Sequence, residues 1–432
     1  MHAASLPRAG TPQSAERAAL VGLFNGTHRR FDPEHSLDEL AGLTAAAGAT
    51  VVLRMLQDRP KPDPATFLGS GKVETLAAAC DETDADVVIF DNELSPAQLR
   101  NLERSLDRKV LDRTQLILDI FSRRARTREG KLQVELAQLK YLMPRLVGAH
   151  SALSRLGGGI GTRGPGETKL ETDRRRIRHR ISVLSKDIEA VRRRRAQLRE
   201  RRHRAAVPTV ALVGYTNAGK TTLFNRLTGD DAVASDALFV TLDPLVRKVR
   251  LPDKRELLVS DTVGFIDRLP HSLVAAFRAT LEEVAAADLL LHVIDASDPD
   301  RERHIEAVRN VLTEVDAQHV PVIDVFNKCD RLPEGERARL ENVNRGAVFV
   351  SALTGAGRDD LVAAMELKLA LDIARVQLEF DATSDTHREH ISELYRFGRI
   401  LRHVATDSRV SIEAELPRRM LDRFQVATEA AQ

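Results

Sequence analysis

The sequence predicts an α/β protein whose largest part is a doubly wound, mostly parallel sheet, and three observations favour this class. Short apolar runs alternate with amphipathic stretches over most of the 432 residues, as expected of strands joined by helices. Four glycine-rich or polar segments directly follow apolar runs, and ligands bind at the carboxyl ends of strands in such sheets. The chain is also too long for one ordinary core, so several domains are expected.

Composition excludes several classes of protein. No apolar stretch approaches the roughly 20 residues that span a bilayer, and Cys80 and Cys329 form no CxxC or Cys/His cluster. A disulfide framework or a zinc site is therefore not expected. Trp is absent and aromatic residues make up 4%, which argues against a sheet that stacks on bases. We expect a cytoplasmic, monomeric protein without a membrane span, and peripheral association with a membrane stays open.

Residues 1–130 are predicted to form an N-terminal α/β domain. The predicted strands are 18–24, 50–56, 86–90 and 109–111, and the predicted helices are 36–47, 72–81 and 95–106. Two of these helices begin at a serine that can cap them, Ser36 and Ser95. Strands separated by helices favour a largely parallel sheet.

Residues 131–206 change to the spacing of a helical seam. The first apolar stripe is Leu132, Leu136, Leu139, Met143 and Leu146, and the second is Ile177, Ile181, Leu184, Ile188, Val191 and Leu198. Two matching narrow stripes joined by a loop predict an antiparallel helical hairpin that resembles a short coiled coil. Packing of the first stripe against the N-terminal domain is the alternative.

The second helix of this hairpin is strongly basic. Residues 173–204 contain fourteen Arg or Lys against four Asp or Glu, a net charge near +10 in a chain of +2. A charge run is often a solvated helix face, but arginine suits bidentate phosphate contacts, so we favour contact with nucleic acid. The preceding segment 156–167 has six glycines and one proline. It is either a flexible linker or a loop that brings backbone close to an anionic surface.

A phosphate-binding motif begins the third domain, predicted over 207–372. Residues 214–221 read GYTNAGKT and fit G-x-x-x-x-G-K-[ST], between an apolar run at 208–213 and an apolar helix from 222 to 227. Backbone N–H groups and the helix N-terminus can hold phosphates there, while Lys220 reaches the β- and γ-phosphates and Thr221 ligates Mg²⁺. The predicted nucleotide contacts in this loop are Gly214, Tyr215, Thr216, Asn217, Ala218, Gly219, Lys220, Thr221 and Thr222. Asn217 either shapes the loop or binds a monovalent cation such as K⁺.

Three later segments predict GTP rather than ATP as the nucleotide. Asp261-Thr262-Val263-Gly264 follows an apolar run, so Asp261 can coordinate Mg²⁺ and Gly264 can meet the γ-phosphate. Asn327-Lys328-Cys329-Asp330 follows a second run, and the Asp330 carboxylate can accept two hydrogen bonds from guanine. Ser351-Ala352-Leu353 follows a third and can present an N–H to the guanine O6. Each of these segments lies at the carboxyl end of a predicted strand, where ligands bind in doubly wound sheets.

The segment between the first two motifs supplies a switch threonine. Phe239, Val240 and Thr241 precede Leu-Asp, and Thr241 is the candidate that closes over Mg²⁺ and the γ-phosphate. The predicted metal ligands are thus Thr221, Thr241 and Asp261, and the predicted catalytic groups are Lys220, Thr241 and Gly264. Phe265 stands where Ras-like proteins have a glutamine that orients the attacking water, so slow hydrolysis without a partner is expected.

Together these segments resemble the HflX family of ribosome-associated GTPases. The resemblance rests on GYTNAGKTT at 214–222, FVTLDP at 239–244, DTVGFI at 261–266 and NKCD at 327–330. The segment SRLGGGIGTRGPGETKLETDRR at 154–175 is more characteristic still. The family more often has Ser-Thr after the lysine, where this chain has Thr221-Thr222, and either hydroxyl can ligate Mg²⁺.

The resemblance covers about residues 20–370 and implies a partner. It implies that the arginine-rich helix and the glycine-rich loop meet RNA of the large ribosomal subunit, and that the protein rescues or splits stalled ribosomes under stress. Residues 373–432 are predicted as a small α+β domain, with a strand at 375–380, a helix at 387–397, strands around 407–408 and a short helix at 418–424.

Three functions are compatible with these observations. In the first, GTP stabilises a ribosome-binding conformation and hydrolysis releases it. In the second, the N-terminal region anchors RNA or a ribosome while the GTPase domain only senses nucleotide. In the third, the GTPase acts on a client other than the ribosome.

Overall fold

A computed structural model gives the architecture of two compact units. One comprises residues 1–185 with 237–239, and the other 186–236 with 240–432. The structure describes residues 15–24, 33–146, 165–204, 207–230, 238–239, 245–251, 256–266, 283–370, 373–406, 408–417, 421 and 424. The glycine-rich loop before residue 165, Val240 and Thr241 lie outside these residues.

The first unit contains the predicted parallel sheet. Its strands are β1 (Arg17–Phe24), β2 (Thr50–Asp58), β3 (Val87–Phe90) and β4 (Lys109–Asp112), in the order β2-β1-β3-β4 and all parallel. The helices that follow these strands in the described residues are α1 (Pro33–Ala46), α2 (Ser70–Glu82), α3 (Pro96–Leu106), α4 (Arg113–Arg124) and α5 (Arg128–Arg145). Strands β1 and β3 are almost wholly buried, as expected of a parallel sheet that is covered on both faces.

Two of the predicted helix starts have different outcomes. Ser95 caps α3 as predicted, because its hydroxyl accepts the Gln98 N–H in a capping box. Ser36 does not cap α1, which begins three residues earlier at Pro33. Its hydroxyl is buried and instead donates to Asp91 Oδ2 at 2.6 Å. The Ser36 prediction was therefore wrong.

The apolar stripe predicted on the first hairpin helix also differs from the one that is buried. Helix α5 buries Val134, Leu136, Ala137 and Tyr141, whereas Leu132, Leu139 and Met143 are only partly buried. The helix packs on α4, which is the alternative left open by the sequence. A wider face than a heptad seam is expected when a helix packs on a globular domain.

The basic helix is a continuous element, α6 (Pro165–Arg204). Of the second predicted stripe, Leu184 is fully buried and Ile177, Ile181, Ile188 and Val191 are partly buried, while the side chain of Leu198 lies outside the described part of the structure. Arg180 donates through Nε and Nη2 to the two carboxylate oxygens of Glu135 on α5, at 2.6 and 2.8 Å. The two helices of the predicted hairpin are thus in contact at this point.

The second unit is built on a six-stranded doubly wound sheet. Its strands are β5 (Thr209–Gly214), β6 (Leu245–Arg250), β7 (Glu256–Asp261), β8 (Leu289–Asp295), β9 (Val322–Asn327) and β10 (Val348–Phe349). The order is β10-β9-β8-β5-β7-β6, and only β6 runs antiparallel to its neighbour. The helices α7 (Lys220–Thr228), α8 (Arg301–Glu314), α9 (Glu336–Val343) and α10 (Arg358–Ala370) pack around it. The direction of winding reverses at β5, which places a ligand-binding crevice at its carboxyl end.

The C-terminal part is an α+β module, as predicted. Strands β11 (Ile373–Asp381), β12 (Arg399–Ala405) and β13 (Arg409–Pro417) form an antiparallel sheet in the order β11-β13-β12. Helix α11 (Asp385–Phe397) covers one face, where Phe380, Leu394 and Ile412 form a small core. Of the predicted helix at 418–424, the structure describes only Leu421 and Phe424. Within the described parts of the chain, no helix is long and apolar enough to cross a membrane.

A buried ion pair holds the carboxyl end of the first sheet. Arg113 and Asp91 are each 5% exposed and lie 2.8 Å apart, and Arg113 also pairs with Glu39. Removing one partner leaves a buried charge without compensation. We expect Arg113→Ala to lower the free energy of unfolding by about 3–5 kcal/mol. The exposed pair of Arg54 with Asp38 is the control, and Arg54→Ala is expected to cost about 0–1 kcal/mol.

Urea unfolding of the full chain, combined with hydrogen exchange at β3 and β4, measures both effects. Equal exchange protection of these strands in the two variants would show that the buried pair contributes no more than the exposed one.

Candidate nucleotide-binding site

The loop between β5 and α7 requires glycine at both ends. Gly214 has a φ of +153°, and a Cβ there would lie 2.3 Å from the Val293 carbonyl oxygen. Gly219 has a φ of +88°, and a Cβ there would lie 2.2 Å from Asn327 Nδ2. Only glycine fits such close approaches and backbone angles. The loop therefore has the close-packed backbone that phosphate binding needs.

Lys220 is held across this loop. Its ammonium donates to the Tyr215 carbonyl oxygen at 2.7 Å, and the residue is only 6% exposed. Burial lowers the pKa of Lys220 to about 8, partly opposed by the nearby Asp261 carboxylate. A cation held in this way can bind phosphate oxygens with little further loss of side-chain freedom.

Two hard oxygen donors meet beside Lys220. The Thr221 hydroxyl donates to Asp261 Oδ2 at 2.7 Å, and Asp261 is fully buried at the end of β7. Hydroxyl and carboxylate oxygens at one point fit Mg²⁺, which commonly keeps water and phosphate oxygens as its other ligands. Bound there, Mg²⁺ would neutralise charge on the phosphates.

The segment after β7 is bonded directly to the phosphate-binding loop. The Thr216 N–H donates to the Phe265 carbonyl oxygen at 2.7 Å, and the Phe265 N–H donates to the Gly214 carbonyl oxygen at 3.1 Å. A Cβ at Gly264 would lie 3.0 Å from Lys220 Nζ, so the backbone there borders the phosphate side of the loop. The Thr262 hydroxyl donates to the Leu212 carbonyl oxygen at 2.6 Å, and Val263 is buried.

The Asn327 side chain joins the phosphate loop to the loops at the other side of the site. Its Nδ2 donates to the Ala218 carbonyl oxygen and its Oδ1 accepts the Ala352 N–H, both at 2.9 Å. The Ser351 hydroxyl donates to Asp330 Oδ1 at 2.5 Å. An oriented carboxylate at Asp330 can accept from two neighbouring N–H groups of a base.

Two side chains that support the site are absent from the sequence prediction. Asp295, at the end of β8, pairs with Lys328 at 2.7 Å. His304 on α8 stacks on Tyr215 with ring centroids 3.8 Å apart. An apolar run that ends in an aspartate at 289–295 was the available signal for the first, whereas a single histidine on a polar helix gives none.

The predicted residues divide into two groups in the structure. The loop 214–222, the segment 261–264, Asn327, Lys328, Asp330 and the segment 351–353 come together at the carboxyl ends of β5, β7, β9 and β10. Leu353 is 69% exposed at the rim. Phe239 belongs to the first unit, where its ring packs edge-on against Phe121 at 4.7 Å.

Loops of this kind, at the reversal point of such a sheet, are those of a P-loop GTPase. Family models match three consecutive parts of the chain. Their descriptions are a GTP-binding GTPase N-terminal domain at 34–122, a GTP-binding GTPase middle region at 124–202 and a 50S ribosome-binding GTPase at 209–328.

Full-length relatives identify the family. The chain is 45% identical to GTPase HflX of Caldanaerobacter subterraneus subsp. tengcongensis, over 95% of this chain and 93% of that protein. It is 46% identical to GTPase HflX of Escherichia coli (strain K12), over 94% of each chain. The chain belongs to the HflX GTPase family and is an enzyme that hydrolyses GTP.

A solved structure also resembles the chain at low similarity. It is a GTP-binding protein from Sulfolobus solfataricus in complex with GDP, 24% identical, with a TM-score of 0.42 over 82% of this chain and 98% of that one.

The lowered pKa of Lys220 predicts a pH dependence of nucleotide binding. Phosphates favour the ammonium form, so binding above about pH 8 must take up a proton, and GDP affinity should fall as the pH rises from 8 to 9.5. Calorimetry in two buffers of different ionisation enthalpy measures the uptake. Lys220→Met should bind GDP more weakly and without this proton uptake. The variant therefore separates protonation of Lys220 from ionisation of guanine, which both proteins would share. Proton uptake that persists in Lys220→Met would contradict the assignment.

The Asp330 carboxylate predicts the base preference. Asp330→Asn should weaken GDP binding by about 10- to 100-fold and improve binding of xanthosine diphosphate, because an amide can donate where the carboxylate only accepts. Competition with a fluorescent nucleotide measures both. Cys329→Ser in the same turn is the control and should bind GDP normally. An unchanged ratio of the two affinities in Asp330→Asn would refute the role.

Proposed function

We propose that this GTPase binds the large ribosomal subunit in its GTP-bound form and uses hydrolysis to leave it, in rescue or splitting of stalled ribosomes under stress. The observation that carries the proposal is the exposed charge of α6. Arg175, Arg178, Lys186, Arg193 and Arg194 are exposed and form no ion pair with any residue that the structure describes. Exposed basic side chains of this kind on one long helix can neutralise RNA phosphates and release their counterions.

Not every arginine of α6 is available for this contact. Arg195 is 19% exposed and pairs with Glu283 at 3.7 Å, Arg180 pairs with Glu135, and Arg192 lies 3.6 Å from Glu189. The charge near +10 that the sequence gives this segment therefore overstates what RNA can meet. The description of the matching family model as a 50S ribosome-binding GTPase supports the choice of partner.

The proposal assigns roles within the nucleotide site. Lys220 holds the β- and γ-phosphates, Thr221 and Asp261 hold Mg²⁺ together with Thr241, and the Gly264 N–H meets the γ-phosphate. Asp330 reads guanine with the backbone of 351–353, and Asn217 either shapes the loop or binds K⁺. Phe265 is 2% exposed and cannot hydrogen-bond water, so hydrolysis by the free protein is slow and rises on the ribosome.

We keep the predicted domain boundaries at about residues 130, 206 and 372. The helical part at 131–206, with its glycine-rich loop, is the proposed RNA-binding segment. A cytoplasmic location and a monomeric state stay predictions of the sequence.

Charge reversal on α6 tests the ribosomal role. Arg193→Glu with Arg194→Glu should weaken binding to large ribosomal subunits and lower the salt dependence, the slope of log K against log salt falling by about one to two. GDP affinity should not change. The charge-matched control is Arg399→Glu with Arg402→Glu on β12, both exposed, which should bind like wild type.

Co-sedimentation in GDP and in a non-hydrolysable GTP analogue gives the readout, with GTP turnover measured in the same tubes. Equal binding in both nucleotides would favour the second function, in which the N-terminal region anchors the ribosome and the GTPase domain only senses nucleotide. No binding in either nucleotide would favour a client other than the ribosome.

A further inference from the structure

Thr216 in the phosphate-binding loop has a buried hydroxyl with no hydrogen-bond partner among the described residues. The residue is 7% exposed, and its Oγ1 forms no hydrogen bond with any described residue. A buried hydroxyl that lacks a partner destabilises a protein, so such groups are rare in folded chains. In a loop that holds a ligand, the partner is expected on the ligand.

The position of the Thr216 side chain indicates which part of the ligand it meets. A Cβ built on Gly264 lies 2.9 Å from Thr216 Cγ2 and 3.0 Å from Lys220 Nζ. The Thr216 methyl group therefore lies, like the Lys220 ammonium, against the Gly264 backbone. The last two are the groups assigned above to the γ-phosphate, and the hydroxyl shares its carbon with the methyl group that lies there.

The backbone of Thr216 cannot take this role. Its N–H is already used by the Phe265 carbonyl oxygen at 2.7 Å, so the hydroxyl is the polar group of this residue that can donate to a nucleotide. The neighbouring Phe265 side chain is buried and apolar. The loop thus offers a hydroxyl donor beside a position where a water-orienting glutamine would otherwise stand.

We propose that the Thr216 hydroxyl donates a hydrogen bond to a γ-phosphoryl oxygen of GTP, and that this hydrogen bond becomes stronger in the transition state. Charge spreads over these oxygens as the phosphoryl group transfers to water, and a fixed donor there lowers the barrier. The role makes Thr216 a catalytic residue. This proposal rests on the GTP hydrolysis of the chain and does not depend on the proposed ribosomal partner.

A second partner is available for the same hydroxyl. A cavity of about 40 Å³ is lined in part by Thr216, Asp298 and His304, and a polar cavity of this size can hold water. If the hydroxyl bonds only to water there, its removal leaves the reaction unchanged.

Three variants of the full chain separate the hydroxyl from the methyl group. Thr216→Val keeps the shape and removes the donor, Thr216→Ser keeps the donor and removes the methyl, and Thr216→Ala removes both. Each is measured for GDP affinity, for single-turnover GTP hydrolysis, and for binding of GDP with aluminium fluoride as a transition-state mimic.

We expect Thr216→Val and Thr216→Ala to bind GDP within about twofold of wild type and to hydrolyse GTP about 10- to 100-fold more slowly. Thr216→Ser should recover the rate to within about threefold, and only the variants without a hydroxyl should lose affinity for the aluminium fluoride complex. Equal hydrolysis rates in Thr216→Val and wild type would overturn the proposal. So would a loss of rate in Thr216→Ser as large as in Thr216→Ala, because the methyl group would then be the cause.

A wild-type chain that binds GDP but does not hydrolyse GTP would instead refute the enzymatic function. Failure of the Thr216 proposal and failure of the function are therefore distinguishable.

Discussion

The side-chain amide of Asn327 is the contact on which the geometry of the nucleotide site depends, because it joins three loops that are distant in sequence. It donates to the Ala218 carbonyl oxygen and accepts the Ala352 N–H. The residue is 2% exposed, so both bonds form where a hydrogen bond is strong and an unpaired group is costly. Gly219 is required at the same point, since a side chain there would collide with the amide. The phosphate-binding loop and the segment 351–353 are therefore held in fixed positions by the same side chain.

The sequence predicts the parts of this fold in which a buried strand ends in a loop of special residues. The four strands of the first unit and the motifs after β5, β7, β9 and β10 were found in this way, because glycine and polar residues interrupt an apolar run. Helix α4 was missed, since Asp112 ends β4 and caps the helix directly through the Gln115 N–H, with no turn between them. The edge strand β6 carries exposed basic residues and has no continuous apolar signal.

Side-chain partners were harder to predict than backbone elements. Ser36 has a typical capping residue type, but a tertiary hydrogen bond to Asp91 decides its role. The charge of α6 can be counted in the sequence, whereas the loss of Arg195 to Glu283 depends on a residue almost ninety positions away. Lys328 in the segment 327–330 likewise pairs with Asp295, and no local sequence pattern links these two residues. Periodicity and motif spacing describe one segment of the chain at a time. They cannot predict these contacts, because each contact joins two segments that are distant in sequence.

The hydrogen bond between Ser351 and Asp330 has a consequence for the thermodynamics of recognition. An aspartate on an exposed turn rotates about two bonds, and a ligand that fixes it must compensate for the lost entropy. Here the hydroxyl at 2.5 Å orients the carboxylate within the folded chain itself. The entropy is thus lost on folding, and more of the interaction energy with a base remains available as affinity. For the base recognition that we propose at Asp330, selectivity would then come from preorganisation as much as from chemical identity.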